Sequence, residues 1–458
     1  MSISNVILAA FSIYAIATVV AFRLLPPLTA ALLSLFAGWL LLPVADFPAS
    51  LAAPGHFDDV IGIVLPGSLL FTKALVCPVV VFACLAVTVP ERLRRFRPGG
   101  LDLAMAAFCL SPLVAWGAGH IPAGSALMQC GYLAGAWGAL WMTGRLLLDD
   151  EAGRQGLSGA IIASGLALVP IALVEGPGML NLYSALYGPH PYQNDGSLRY
   201  FGFRPLGFFE NGNQYGIWIA LTALVAIGRM LARRTPRDGT IAAVLVAAAL
   251  GSQSVGAIIL LVLGAAWLVA SPHLRRIGIA AALLLGTIGG AGYLSGKLPI
   301  EHWAKGTAPG QFVYNGLRSV GRGSFGWKVK RDQVALPMIQ QAALTGYGRW
   351  DWWRPLHSRP SGVPLLLVGQ FGVLSLLCLA LAMFGGAIRE LIVGRSNVLA
   401  VTILAAGVDA WLNSFVFYPA ILAAAALARP VWRSQPRAGE VPAAMQPGAA
   451  PTGAVDAA

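Results

Sequence analysis

Apolar stretches of span length, divided by short basic turns, dictate what this chain can fold into. A bilayer span needs about 20 apolar residues. Runs of that kind recur at residues 6–22, 28–44, 65–89, 101–118, 126–148, 157–174, 214–228, 277–294 and 363–388. Two longer runs are interrupted, 241–270 by Gly251-Ser252-Gln253-Ser254 and 397–427 by Asp409, Asn413 and Pro419. One helix over 241–270 would put Arg275 and Arg276 outside, whereas two short spans joined near Ser252 keep them inside. The run 397–427 reads the same way. Charged residues make up 11% of the chain, less than half the share of about 25% in soluble domains. The sequence therefore predicts an all-α polytopic membrane protein, a single bundle of about 12–13 spans across residues 1–433.

Basic residues orient that bundle. Arg92, Arg94, Arg95 and Arg97 follow the third run and mark a cytoplasmic turn, because Lys and Arg concentrate on that side. The loop before that run carries Asp46, Asp58 and Asp59 and no Lys or Arg, which places it outside. No charge precedes the first run and Arg23 follows it, the reverse of a secretory signal. Lys73, near the outer end of the third run, reads as a snorkelling lysine. All five cysteines lie inside apolar runs, with no spacing that suggests disulfides or a zinc site. The net charge of +12 is spread over short turns and one long insert, so nothing presents it compactly to a nucleic acid. Residues 434–458, rich in Ala, Pro and Gly, read as a disordered cytoplasmic tail.

Two outer segments, 175–212 and 296–361, interrupt the apolar pattern and are expected to cap the bundle as its active site. The longer one carries ten Lys and Arg against three acids, and five of the thirteen tryptophans. Cations beside aromatic faces suit a ligand with phosphate at one end and sugar at the other. A basic loop resting on lipid headgroups accounts for the same composition. Residues 331–343 read as a surface helix with a Val334, Met338, Ala342 stripe, bent at Pro337. A Gly346-Tyr347-Gly348 turn follows, then Trp350, Trp352, Trp353 and His357. The tryptophans fit an interfacial belt as well as a sugar platform. In the shorter segment, Arg204 is a candidate phosphate ligand, with a lipid-headgroup anchor as the other reading. Asn211 and Asn213 are candidate substrate contacts or caps for the next helix.

These residues carry a family resemblance. Arg204-x-x-Gly207-x-Phe209-x-Asn211-Gly212-Asn213 resembles the Arg-x-x-Gly-x-Phe-x-Asn-Pro-Asn signature of the O-antigen ligase and O-antigen polymerase superfamily. Ser252-Gln253-Ser254-Val255-Gly256-Ala257 is similar to that family's Ser-Arg-Gly-Ala stretch. Arg322, Trp327, the surface helix, Gly346-x-Gly348 and His357 resemble the ligase loop. The likeness covers residues 199–382, while the N-terminal third matches only as hydrophobic spans. Here Gly212 replaces a Pro, Val255 stands where Arg is common, and Ser358 follows the His in place of Asn.

The resemblance implies a glycosyltransferase-C-like fold in the bacterial inner membrane. It also implies metal-free, cofactor-free transfer of a glycan from undecaprenyl pyrophosphate to a hydroxyl on the periplasmic face. Arg204 and Arg322 are expected to hold the leaving diphosphate, with Arg318 and Arg359 in reserve. His357 is expected to act as base, with Glu210 as rival. Trp353, Asn211 and Asn213 are expected to line the substrate site. The implied partners are the lipid-linked oligosaccharide, a glycan or lipid A-core acceptor, a flippase and a chain-length regulator. Polymerisation of exopolysaccharide or O-antigen repeats is the favoured activity, and ligation to lipid A-core is the close alternative. A lipid-linked sugar transporter would share the cations, but it calls for ionisable residues at mid-membrane, where this reading finds only Lys73 and Asp409. A non-catalytic assembly subunit is the remaining alternative.

Overall fold

The computed structural model describes residues 3–44, 72–178, 180–188, 190, 198–199, 202–298, 306–319, 324–393, 397–414 and 416–428. The tail 434–458, Arg322 and the loop bearing Asp46, Asp58 and Asp59 lie outside the described residues, as do the side chains of Arg318 and Trp327.

The described chain is helical apart from one short antiparallel pairing, Leu198–Arg199 with Gly202–Phe203. The helices are α1 (Ile3–Leu24), α2 (Pro27–Leu41), α3 (Lys73–Thr88), α4 (Pro90–Arg94), α5 (Gly100–Cys109), α6 (Pro112–Gly117), α7 (Ala123–Leu133), α8 (Ala139–Leu147) and α9 (Glu151–Gly178). They continue with α10 (Leu182–Tyr187), α11 (Gly212–Arg233), α12 (Pro236–Gly251), α13 (Val255–Val269), α14 (Pro272–Leu294) and α15 (Ala308–Ser319). The last four are α16 (Ser324–Gln341), α17 (Val363–Ile392), α18 (Val398–Leu412) and α19 (Tyr418–Ala426). Five of them, within α1, α9, α11, α14 and α17, are each long and apolar enough to cross a membrane. A π turn at Ala134–Gly138 joins α7 to α8 with right-handed helical backbone throughout, so the run 126–148 forms one rod.

The two interrupted runs divide where their polar residues predict. Gln253, in left-handed backbone (φ 55°), separates α12 from α13, and residues 413–417 separate α18 from α19. The second pair departs from the expectation of two short spans. Helix α19 has nine residues, about 14 Å at 1.5 Å per residue, and is buried throughout. Its C-terminal carbonyls are met from the far end of the bundle. Arg154 Nη2 donates to Ala426 O (2.8 Å), and Arg389 Nη2 donates to Leu427 O (2.7 Å). Cations suit a helix C-terminus, where unpaired carbonyls gather negative charge. The run 101–118 also breaks, because Leu110 ends one helix and Pro112 starts the next, with Ser111 before it.

Helix α11 is the axis of the fold. It is buried from Gly212 to Ala226 except at half-exposed Asn213, and it packs against α9, α12, α13 and α18. One continuous core runs from Phe11 to Ala428. Helix α14 stands apart, with Ile279 as its only fully buried residue.

The interior holds more charge than the sequence reading allowed. Besides Lys73 and Asp409, Asp102 and Arg145 form a buried ion pair (2.7 Å), with Trp141 Nε1 donating to the same carboxylate (2.8 Å). Glu175, Glu210, Arg154 and Glu390 are buried as well.

Candidate functional site

The first half of the candidate site is the segment that leads into α11. Its backbone is gripped from below by buried side chains. Glu175, 4% exposed, accepts from the amides of Leu206 (2.7 Å), Gly207 (2.8 Å) and Leu182 (3.2 Å). Lys73 is 1% exposed and donates to the carbonyls of Phe208 (2.8 Å) and Trp39 (3.2 Å). It does not snorkel. Two carbonyls meet its ammonium inside the core, and the Glu210 carboxylate is its electrostatic counterpart. His190 Nε2 donates to the next carbonyl, Phe209 O, at 3.0 Å, with the Tyr183 ring edge-on at 4.6 Å. Burial, reinforced by the charge of Lys73 and opposed by that hydrogen bond, pushes the His190 imidazole down to about 4. It is therefore neutral at pH 7.

The two asparagines divide the work that the sequence left open between them. Asn211 caps α11 and accepts from the amides of Asn213 (2.9 Å) and Gln214 (3.1 Å), the role expected of a side-chain oxygen at a helix start. Asn213 accepts from Arg204 Nη2 at 2.7 Å instead. The Arg204 stem lies directly on Gly212, where a Cβ would come within 2.6 Å of Arg204 Cδ. This explains glycine at that position, since any side chain would displace the arginine. Arg204 is 7% exposed and Glu210 is 3% exposed. One turn along, Gly216 abuts Ser252 and Ser254, so the α12–α13 turn borders the same site.

The second half is the C-terminal part of the long insert, which pairs with a broken helix. At Gly372 the backbone of α17 leaves helical geometry (φ 83°, ψ 169°). The carbonyls freed just before it accept from Tyr347 N (to Gly369 O, 2.9 Å) and Gly348 N (to Gln370 O, 2.7 Å). Gly346 and Gly348 adopt positive φ to make this approach. His120 and Gln129, from the α6–α7 corner and α7, hold the carbonyls of Gly346 and Gly348. Irregular backbone inside a membrane protein survives where protein groups satisfy it, and here the insert provides them.

The remaining predicted residues follow that turn. Trp353 is buried with its Nε1 lacking a hydrogen-bond partner among the described residues. Arg359 is buried too. His357 takes left-handed backbone (φ 49°) after a 3-10 turn. Its side chain is exposed and makes no hydrogen bond among the described residues. The surface helix is present as part of α16, with a buried face wider than the expected stripe. Ala342 is buried and Met338 half-buried against the core, as expected, whereas Val334 is 44% exposed and Val329, Asp332, Ala335, Leu336 and Ile339 are buried instead. The sequence missed this face because a carboxylate sits in it. Asp332 accepts from Tyr293 Oη (2.7 Å) and Ser361 N (2.7 Å). Burial raises its carboxyl above the usual range, opposed by those bonds and by the charges of Arg331 and Lys328.

The α18–α19 turn adjoins both halves. Lys328 of α16 donates to Leu412 O (2.7 Å) and to the Asn413 side chain. Phe417 stacks on Trp218 (6.2 Å), and Tyr418 interacts electrostatically with Glu210. Arg204, Glu210, Asn211 and Asn213 thus form one local group. Trp353, His357 and Arg359 lie together only in sequence, after the Gly346–Gly348 turn. Lys73, Glu175, His190 and Asp332 were not identified as site-forming from sequence. An isolated polar residue in an apolar or turn-rich run was the only signal each one gave. Among the described residues, no group of three His, Cys, Asp or Glu side chains is placed to hold a metal ion. Compared with protein-family models, curated proteins and solved structures, the chain gives no match.

Proposed function

We propose that this chain is an integral membrane glycosyltransferase. It moves a glycan from undecaprenyl pyrophosphate to an acceptor hydroxyl on the periplasmic face, and its favoured activity is polymerising polysaccharide repeat units. The observation that carries this reading is Arg204. It is a buried guanidinium laid across the first turn of α11 and oriented by Asn213. A helix N-terminus already favours negative charge, and a desolvated cation there strengthens the preference. A departing diphosphate is a ligand of that kind. In the reaction, His357 takes the proton of the acceptor hydroxyl and the hydroxyl oxygen bonds to the anomeric carbon. The carbon–oxygen bond to the diphosphate breaks, and the lipid diphosphate leaves with its new charge beside Arg204. Attack from the opposite face inverts the anomeric centre.

Buried Lys73 and Glu210, which interact electrostatically, favour a second reading, transport of the same lipid-linked sugar, since intramembrane ionisable residues mark transport routes. Purified chain in detergent, supplied with lipid-linked repeats, separates the readings. Glycan growth there requires catalysis and no gradient. Growth without core acceptor indicates a polymerase, and transfer only when core is supplied indicates a ligase. Arg204→Gln is expected to lower turnover by about 10²–10³, the usual loss for one charge-stabilising donor. Full activity in a correctly inserted Arg204→Gln protein sinks the reading.

A further inference from the structure

A second cavity lies at the other end of the bundle, among the ends of α9, α11, α17 and α18. Its volume is about 660 Å³, within the range of about 300–1,000 Å³ typical of ligand-holding clefts. The proposed glycosyl transfer does not use it. Val225, Ala232, Val398 and Leu399 give it apolar walls, and both signs of charge face into it. Sorting those charges by partner defines what it can hold. Arg229 is paired with Asp238 (2.7 Å), and Arg233 acts electrostatically on the same carboxylate, so these three side chains together carry one surplus positive charge. Arg154 donates to Ala426 O, and Glu390 is buried and engaged. Two charges remain without an ion pair among the described residues, Arg233 on α11 and Glu151 at the start of α9, the latter taking only the side-chain amide of Gln155 (3.2 Å).

We infer that this cavity binds the headgroup of a zwitterionic aminophospholipid, with the phosphate at Arg233 and the primary ammonium at Glu151. One surplus positive charge and one anion without an ion pair, lining a single cleft, match a ligand carrying both charges. A purely anionic headgroup would leave Glu151 opposed to it. The apolar walls receive the glycerol and the first chain carbons. Lipid is the occupant because these helix ends also carry the grips of Arg154 and Arg389 and the basic turn with Arg229, Arg233, Arg234 and Arg237, of the kind that marks a cytoplasmic membrane face. There phospholipid is the most concentrated solute. A primary ammonium donates three hydrogen bonds to carboxylate and amide oxygens, and a trimethylated one donates none.

The test is native mass spectrometry of the full chain in detergent, titrated with phosphatidylethanolamine, phosphatidylcholine and phosphatidylglycerol of matched chains. The wild type is expected to bind phosphatidylethanolamine about tenfold tighter than either of the others, the worth of one charge-assisted hydrogen bond. Glu151→Gln is expected to erase the preference over phosphatidylcholine. Arg233→Gln is expected to weaken all three. Equal binding of the three lipids overturns the inference, and so does tightest binding of phosphatidylglycerol. Binding unchanged in both variants overturns it too. Both residues are exposed, so neither substitution should unfold the chain, and a melting curve for each variant checks that.

Discussion

The two halves of the candidate site are built by opposite means. The segment entering α11 is held by buried ionisable side chains that reach up to its backbone: Glu175 to three amides, Lys73 and His190 to successive carbonyls. The insert segment is held by backbone pairing with the broken helix α17 and leaves His357 exposed. The first arrangement fixes a buried arginine in one place. The second presents a ring that an incoming hydroxyl can reach. In the proposed reaction, these are the needs of a leaving group and of an acceptor.

That contrast can be broken. Lys73→Met removes the cation from the core and leaves the carbonyls of Phe208 and Trp39 without the donor that meets them. A buried acceptor left unsatisfied costs about 1–3 kcal/mol, so with two of them a thermal melt should show the largest destabilisation of the set. A drop below about 1 kcal/mol would mean the ammonium is not holding the segment. Gly372→Ala attacks the other half. Its Cβ would fall 2.0 Å from Leu344 O at a backbone angle that strains any side chain. A cost of about 1–3 kcal/mol is expected, with protease cleavage appearing first near residues 342–350 rather than near Arg204.

Acid sharpens the comparison. His190 titrates well below an unfolded histidine, so its contribution is complete above about pH 6.5. It is lost as pH falls toward 4, because the unfolded chain takes up the proton first. Stability should fall by about 3 kcal/mol across that window, and His190→Gln should flatten the curve. An unchanged slope in that variant would remove His190 from the account. His357→Ala should be the mildest change to the fold, within about 0.5 kcal/mol as for other surface substitutions. Glycan transfer should nonetheless fall by about 10²–10⁴ if the ring acts as base.

Much of the helical framework was legible, and particular residues show why. Gln253 in its polar stretch, and Asn413 with Pro419, announced the divisions of two long runs. The cap by Asn211 followed from its place before an apolar run. The break in α17 was not legible. A glycine inside an apolar run is common, and only the arrival of Tyr347 and Gly348 makes this one a bend. The buried face of α16 was hidden for a related reason, because Asp332 reads as a surface charge until Tyr293 and Ser361 are seen to meet it. Lys73 was conspicuous in the sequence, but its partners lie 34 and 135 residues away.

The seam between the Gly346–Gly348 turn and α17 makes that turn expensive to lift. Lifting that turn would strand the Gly369 and Gln370 carbonyls in the interior, at a cost of about 1–3 kcal/mol each. The insert is therefore anchored at its C-terminal root, and access for the proposed glycan that required lifting this turn would carry that penalty.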